Sequence, residues 1–555
     1  MRSRRAVSVR RASDVFVECL EAEGVKHVFG IPGEETLDLN ESLADSSIEF
    51  VPVRHEQGGA YIADVYGRLT GRAGVCLGTL GPGATNLVTA VADAFLDRAP
   101  LVALTGQADL ERQHKESHQH IDVAEMMRPI TKWNARLSDP EIVAEVVRKA
   151  FKVAEEEKPG STHIELPEDV MAAEMPDDAR PLPRRPVPAS EPPARVLMEA
   201  ARMINGAGSA VCLAGNGVVR AGAAPALREF ARATGIPVAV TFMGKGLVET
   251  DSDLALGAVG LQAGDFSMAG FEEADVVITV GYDLVEHSPA LWNPNGDKRI
   301  VCIDSLPAEI DENFMPEVEL VGDIYATLLR LAQECRDCPS SGGSPRLRQA
   351  VDGILDAAST ADSFPALPPR ALLEIREALG REDILVSDVG LHKLWIGRAF
   401  PAFEPNTVLI ANGLAGMGFA VPAAIAAKLV HPNRKVVAVS GDGGFLMNSQ
   451  ELETAMRLRT AFVNVVWENR QYGSIVWKQE KRFGRHFGTD FENPDFVKLA
   501  ESFGMPAWRC ESIDDYGERL RAALDLDVPS LIALPIDYSV DVAIATELGT
   551  ETTRI

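Results

Sequence analysis

Residues 440–474, SGDGGFLMNSQELETAMRLRTAFVNVVWENRQYGS, hold together the residue types that bind a phosphate and a hard cation. A β-branched run leads into Gly441-Asp442-Gly443-Gly444, and a second run delivers Asn469 and Gln471. The glycines let the backbone come close to a phosphate group, and a helix start behind them offers N–H donors to that anion. Asp442, Asn469 and the carbonyl of Gln471 supply oxygen ligands for magnesium, which takes phosphate oxygens and water as well. The spacing of Asn448 and Glu451 predicts a capping box that opens the helix near Asn448. On its own, GDGG also reads as a tight turn between strand and helix.

A second group lies near the start of the chain. Arg54-His55-Glu56 opens a helical pattern over 56–68, and a glutamate at a helix start is favourable in its own right. Gly81-Pro82-Gly83-Ala84-Thr85-Asn86 and Thr105-Gly106-Gln107 follow, and His114, His118 and His120 crowd the next polar stretch.

These groups need rigid elements behind them. Proline-rich residues 176–194 and a second break over 336–364 read as linkers. They divide the chain into 12–175, 195–335 and 365–545. Each segment alternates short β-branched runs with helical patterns, which predicts an α/β protein of three doubly wound parallel-sheet domains. Strands are expected at 48–53, 75–80 and 101–105, at 210–213, 238–240, 276–280 and 300–303, and at 384–387, 435–440 and 462–467.

At 555 residues the chain exceeds what one hydrophobic core organises. A net charge of −27 argues against nucleic acid as a partner, since phosphate contacts need a basic face. No run of eighteen apolar residues appears, so a membrane span is not expected. The basic, acid-free start MRSRRAVSVRR is open to a transit-peptide reading, but it is short and reads better as a frayed leader. Seven scattered cysteines suit a reducing cytoplasm; Cys335 and Cys338 form one CxxC without a second ligand pair. Gly215-Asn216-Gly217 falls short of a dinucleotide fingerprint and reads as a turn.

The GDG followed by asparagine after 27 positions is the signature of thiamine diphosphate enzymes, and residues 51–95 resemble the pyrimidine-binding domain of the acetolactate synthase group. The resemblance runs from Ala12 to about Tyr538. It implies thiamine diphosphate and Mg2+ as cofactors, with Asp442, Asn469 and Gln471 as metal ligands. Glu56 stands where the family has the glutamate that shares a proton with N1′ of the aminopyrimidine. SDVGLHKLW (387–395) resembles the segment that reaches the diphosphate through Gly390 and His392; NGLAGMGFAVPAA (412–424) resembles the one whose Met417 props thiamine into a bent shape. Gly441, Gly443, Gly444, Gly473 and Ser474 complete the cofactor contacts that the resemblance implies, and Gln107 and His118 line the reacting centre. The family builds each site from two subunits, so a homo-oligomer is implied.

Residues 274–304 and 493–504 look most like the catabolic, flavin-free branch. The biosynthetic branch carries an arginine- and aspartate-rich loop where this chain has Tyr282-Asp283-Leu284-Val285-Glu286-His287, so FAD is expected to be absent. The implied reaction is decarboxylation of pyruvate and carboligation to a second pyruvate, giving 2-acetolactate. A related 2-keto acid decarboxylase or a carboligase with another acceptor is the alternative. A non-catalytic sensor or subunit is the reading from another class. Glu468 departs from the family's first asparagine and Leu391 from a common glutamine. Ser474 and Lys478 replace apolar or neutral residues around the second substrate, and biosynthetic relatives carry tryptophan at the position of Lys478. These changes bear on the acceptor.

Overall fold

The computed structural model describes residues 10–185, 187–260, 269–335, 338, 353 and 360–539. The chain forms three six-stranded sheets, each parallel throughout. The first holds β1 (His27–Gly30), β2 (Glu49–Pro52), β3 (Gly74–Gly78), β4 (Leu101–Gln107), β5 (Trp133–Arg136) and β6 (Ser161–Pro167), in the order β2-β1-β3-β4-β6-β5. The second holds β7 (Ala210–Ala214), β8 (Val238–Thr241), β9 (Ala255–Val259), β10 (Val276–Val280), β11 (Arg299–Asp304) and β12 (Val318–Val321), in the order β12-β11-β10-β7-β8-β9. The third holds β13 (Ile384–Ser387), β14 (Val408–Ile410), β15 (Val436–Gly441), β16 (Val463–Glu468), β17 (Ala507–Arg509) and β18 (Ser530–Pro535). Its order, β14-β13-β15-β16-β18-β17, repeats the topology of the first sheet.

The central strands are buried along their length, as parallel strands covered on both faces must be. Val437, Ala438 and Val439 of β15 and Val463, Val465 and Val466 of β16 are all solvent-free. Every strand expected from the sequence is present within one or two residues at each end. The others carried weaker signals. β5 (WNAR) is a half-buried edge strand, β17 has three residues, and β6 (STHIELP) is buried despite His163 and Glu165 in its middle.

By its contacts the chain divides into two compact units, 1–187 with 425–430, and 188–424 with 431–555. In the first, Arg68 on the helix Glu56–Thr70 pairs with Asp64 at 2.7 Å and with Asp97 at 2.6 Å. Asp93 on the helix Pro82–Leu96 lies 3.5 Å away, so the ion cluster ties the two helices that carry Glu56 and Asn86. Arg10 and Arg11 are not frayed: Arg10 bonds Glu18 at 2.6 Å, and Arg11 pairs with Asp38 and Asp14. The rest of the expected leader and most of 336–364 lie outside the described residues. Cys335 and Cys338 are buried, with Cys338 Sγ 3.6 Å from Asn205 Oδ1. Among the described residues no helix is long and apolar enough to cross a membrane.

Candidate active site

β15 and β16 are neighbours, and their ends bring Asp442 and Asn469 together across 27 positions of sequence. Asp442 Oδ2 accepts the backbone N–H of Asn469 at 2.9 Å and of Arg470 at 2.6 Å, and Asn493 Nδ2 donates to it at 2.9 Å. Oδ1 accepts the Gly443 N–H at 3.0 Å. Four donors thus fix a buried carboxylate at the mouth of the sheet. The Gln471 carbonyl accepts the Gly473 N–H at 2.9 Å, and its side chain donates to Asp490. Asn493 was not foreseen; its Oδ1 is a buried acceptor with no donor among the described residues. Carboxylate, amide and carbonyl oxygens of this kind fit magnesium.

The expected capping box is absent. The helix starts at Glu451 behind Gln450, not at Asn448. Asn448 is buried and spends its amide on the Gly418 carbonyl at 2.9 Å, so a tertiary contact outcompetes the local cap. Asp442, Gly443 and Gly444 form a single turn, Asp442–Phe445. The longer helix Gly473–Phe483 opens at Gly473 and Ser474; the Gly473 N–H is already bound to the Gln471 carbonyl, which leaves the Ser474 N–H without a partner among the described residues. Leu391 is buried and packs against Gly473.

His392 lies against Gly441 and is fully buried, which pushes its pKa down to about 4. Its Nδ1 donates to the Asp388 carbonyl, and its Nε2 has no partner among the described residues. A side chain at Gly390 would put Cβ 2.7 Å from the His392 ring, so this approach requires glycine. A buried ring nitrogen beside a glycine turn fits an oxygen of a diphosphate. Met417 is half-buried in the turn before the helix Ala420–Val430. Glu468 is buried at the end of β16 and pairs with Arg509; burial raises its pKa and Arg509 opposes the rise.

In the first unit, Glu56 is buried at the start of its helix, where His55 Nδ1 caps by accepting the Gln57 N–H at 3.1 Å. Asn86 Nδ2 donates to Glu56 Oε2 at 2.9 Å. Gln107 ends β4 with no solvent exposure, and its Nε2 donates to Glu165 Oε1 at 2.6 Å. Its Oε1 lies 3.0 Å from His120 Nδ1. His118 and His114 are exposed, and it is His120 that reaches Gln107. Glu165 escaped the sequence reading because it sits inside an apolar strand. A carboxylate in such a run was the available signal, since buried charge needs a partner. Arg136 Nε stands 3.3 Å from its other oxygen.

The second sheet has the strand order of dinucleotide-binding folds, with its switch point between β7 and β10. There Gly215-Asn216-Gly217 is a helix start rather than a free turn: Gly215 caps the short helix Asn216–Arg220, and Asn216 and Gly217 are its first residues. The Glu286 carboxylate accepts the Asn216 N–H at 3.0 Å and the Thr241 hydroxyl at 2.8 Å. Burial, reinforced by Asp283, pushes its pKa up to about 8.

Fold and site together define a thiamine pyrophosphate enzyme. Residues 10–126, 197–331 and 388–534 match the family models of the N-terminal TPP binding domain, the central domain and the C-terminal TPP binding domain of such enzymes. The chain is 38% identical over 535 residues to the catabolic acetolactate synthase of Raoultella terrigena, covering 95% of both chains. It is 35% identical over 558 residues to the acetolactate synthase of Bacillus subtilis, covering 98% of this chain and 96% of the relative. A probable acetolactate synthase large subunit of Methanocaldococcus jannaschii is 36% identical over 95% of this chain and 92% of its own. The chain belongs to the acetolactate synthase family.

Proposed function

We propose that this protein decarboxylates one pyruvate and joins the remaining two-carbon unit to a second, so that two pyruvates give one 2-acetolactate and one carbon dioxide. The observation that carries the reading is the buried Glu56 held by Asn86, in a chain related over almost its whole length to acetolactate synthases. Glu56 holds the proton shared with the aminopyrimidine ring nitrogen. Asp442, Asn469 and the Gln471 carbonyl hold magnesium. His392, Gly390, Gly441, Gly443, Gly444, Gly473 and Ser474 hold the diphosphate, and Met417 braces the bend between the rings. Gln107, with His120 against it, and His118 face the keto acid. When bound, thiamine diphosphate supplies the electron sink that lets carbon dioxide leave.

The assembly in this reading is a homo-oligomer in which Glu56 and the diphosphate site of one centre come from different copies. The helix Gly473–Phe483 supports this, because it buries none of its residues and leaves Ile475 and Phe483 exposed. The reading includes no flavin: Glu286 fills the second sheet's crevice with the chain's own carboxylate. Cytoplasmic location and domains at 12–175, 195–335 and 365–545 belong to the same proposal, the last supported by one sheet falling within each span.

The metal site is tested by titrating purified protein with thiamine diphosphate, with and without magnesium, for wild type and Asp442→Ala. Magnesium is expected to tighten binding to wild type and to have no effect on the variant. Equal affinities in all four titrations would reject the site.

A further inference from the structure

We propose that Asp388 is a positioning residue that holds Met417 in place and so sets the bend of the bound cofactor. Asp388 follows β13 and is 1% exposed, and its N–H bonds the Val439 carbonyl of β15 at 2.9 Å. Its Oδ1 accepts the N–H of Val389 at 2.7 Å and of Gly418 at 3.0 Å; its Oδ2 accepts that of Ala420 at 3.4 Å. The Phe419 N–H also stabilises the charged form. Burial raises the pKa to about 6, so the group is ionised at neutral pH, and these amides are what offset its desolvation.

A carboxylate that only capped the helix Ala420–Val430 would need the amides of its first turn. This one reaches back to the peptide between Met417 and Gly418. On the other side of that residue, Asn448 Nδ2 holds the Gly418 carbonyl at 2.9 Å. Gly418 has φ +86°, and a Cβ there would sit 2.8 Å from Asn448 Nδ2, so the turn beside Met417 requires glycine at this position. The Asp388 carbonyl meanwhile accepts Nδ1–H of His392. One residue therefore orients the brace at the ring bend and the histidine at the diphosphate.

The inference rests on the reading that thiamine diphosphate binds here, and the test separates the two. Exchange of the cofactor's C2 proton with deuterium is followed by NMR on protein loaded with thiamine diphosphate and magnesium, with no keto acid present. Asp388→Asn keeps the shape but removes the charge and sets an NH2 donor in place of one oxygen, against either the Gly418 or the Ala420 N–H. A displacement of about 1 Å in a supporting group costs on the order of a hundredfold, so exchange is expected to slow by about that factor. Cofactor affinity is expected to change by less than about tenfold, because the diphosphate contacts remain.

Met417→Ala should slow exchange similarly, and the double variant should be no slower than the worse single one, since residues acting through one another are not additive. Asn448→Ala, which leaves the carboxylate intact, should give a smaller effect of the same kind. Wild-type exchange in Asp388→Asn, or multiplicative effects of the Asp388 and Met417 changes, would overturn the assignment. Failure of the wild-type protein to bind the cofactor would instead overturn the underlying reading, and the inference with it.

Discussion

In the proposed reaction Glu56 and Lys478 have separate parts. Glu56→Gln keeps the size and the Asn86 contact but removes the acid, so turnover should fall at least about a hundredfold, the lower end of acid–base contributions. Cofactor affinity should change less; near-normal turnover would remove Glu56 from the mechanism. Lys478 is exposed midway along the helix Gly473–Phe483, at the position where the resemblance implies tryptophan in the biosynthetic branch. A lysine there gives no flat apolar contact to the extra methylene of 2-ketobutyrate, a group typically worth about 1–3 kcal/mol. In competition, pyruvate should serve as acceptor at least as well as 2-ketobutyrate, and Lys478→Trp should shift the product ratio toward the longer acceptor. A strong wild-type preference for 2-ketobutyrate would contradict this. Glu56, Asp442 and Asn469 were legible because their types and spacing survive in one dimension. Asn493, Glu165 and Asp388 were not, because each acquires meaning only from partners 51, 58 and 30 positions away.

At the scale of elements, long apolar strands were legible from composition, whereas β5, β6 and β17 were not. β6 also carries a pH dependence. His163 has no exposure and bonds Thr105 at 2.8 Å, and burial pushes its pKa from 6.5 down to about 3. Between pH 3 and 6.5 the unfolded chain binds more protons than the folded one at this site. Stability from this group is therefore complete above pH 6.5 and is lost as pH falls toward 3, with a slope of up to about 1.4 kcal/mol per pH unit. Denaturant unfolding across that range should show a shallower slope in His163→Gln than in wild type. Parallel curves would mean that His163 is not the group responsible. The absent capping box teaches the same lesson from another element: Asn448 and Glu451 have the right spacing, but Asn448 is claimed by Gly418 from a different loop.

For the whole molecule, three parallel sheets match the three domains of thiamine pyrophosphate enzymes. The first and third share a topology and, in the proposed function, carry Glu56 and the diphosphate site; the second has a nucleotide-binding strand order, and at its switch point the Glu286 carboxylate accepts the Asn216 N–H. The central claim is that the protein joins two pyruvates rather than only splitting one. The direct measurement is product analysis with purified protein, thiamine diphosphate, magnesium and pyruvate, quantifying carbon dioxide against 2-acetolactate. The account predicts one 2-acetolactate for each carbon dioxide released and two pyruvates consumed. Carbon dioxide released with acetaldehyde in place of acetolactate would contradict it.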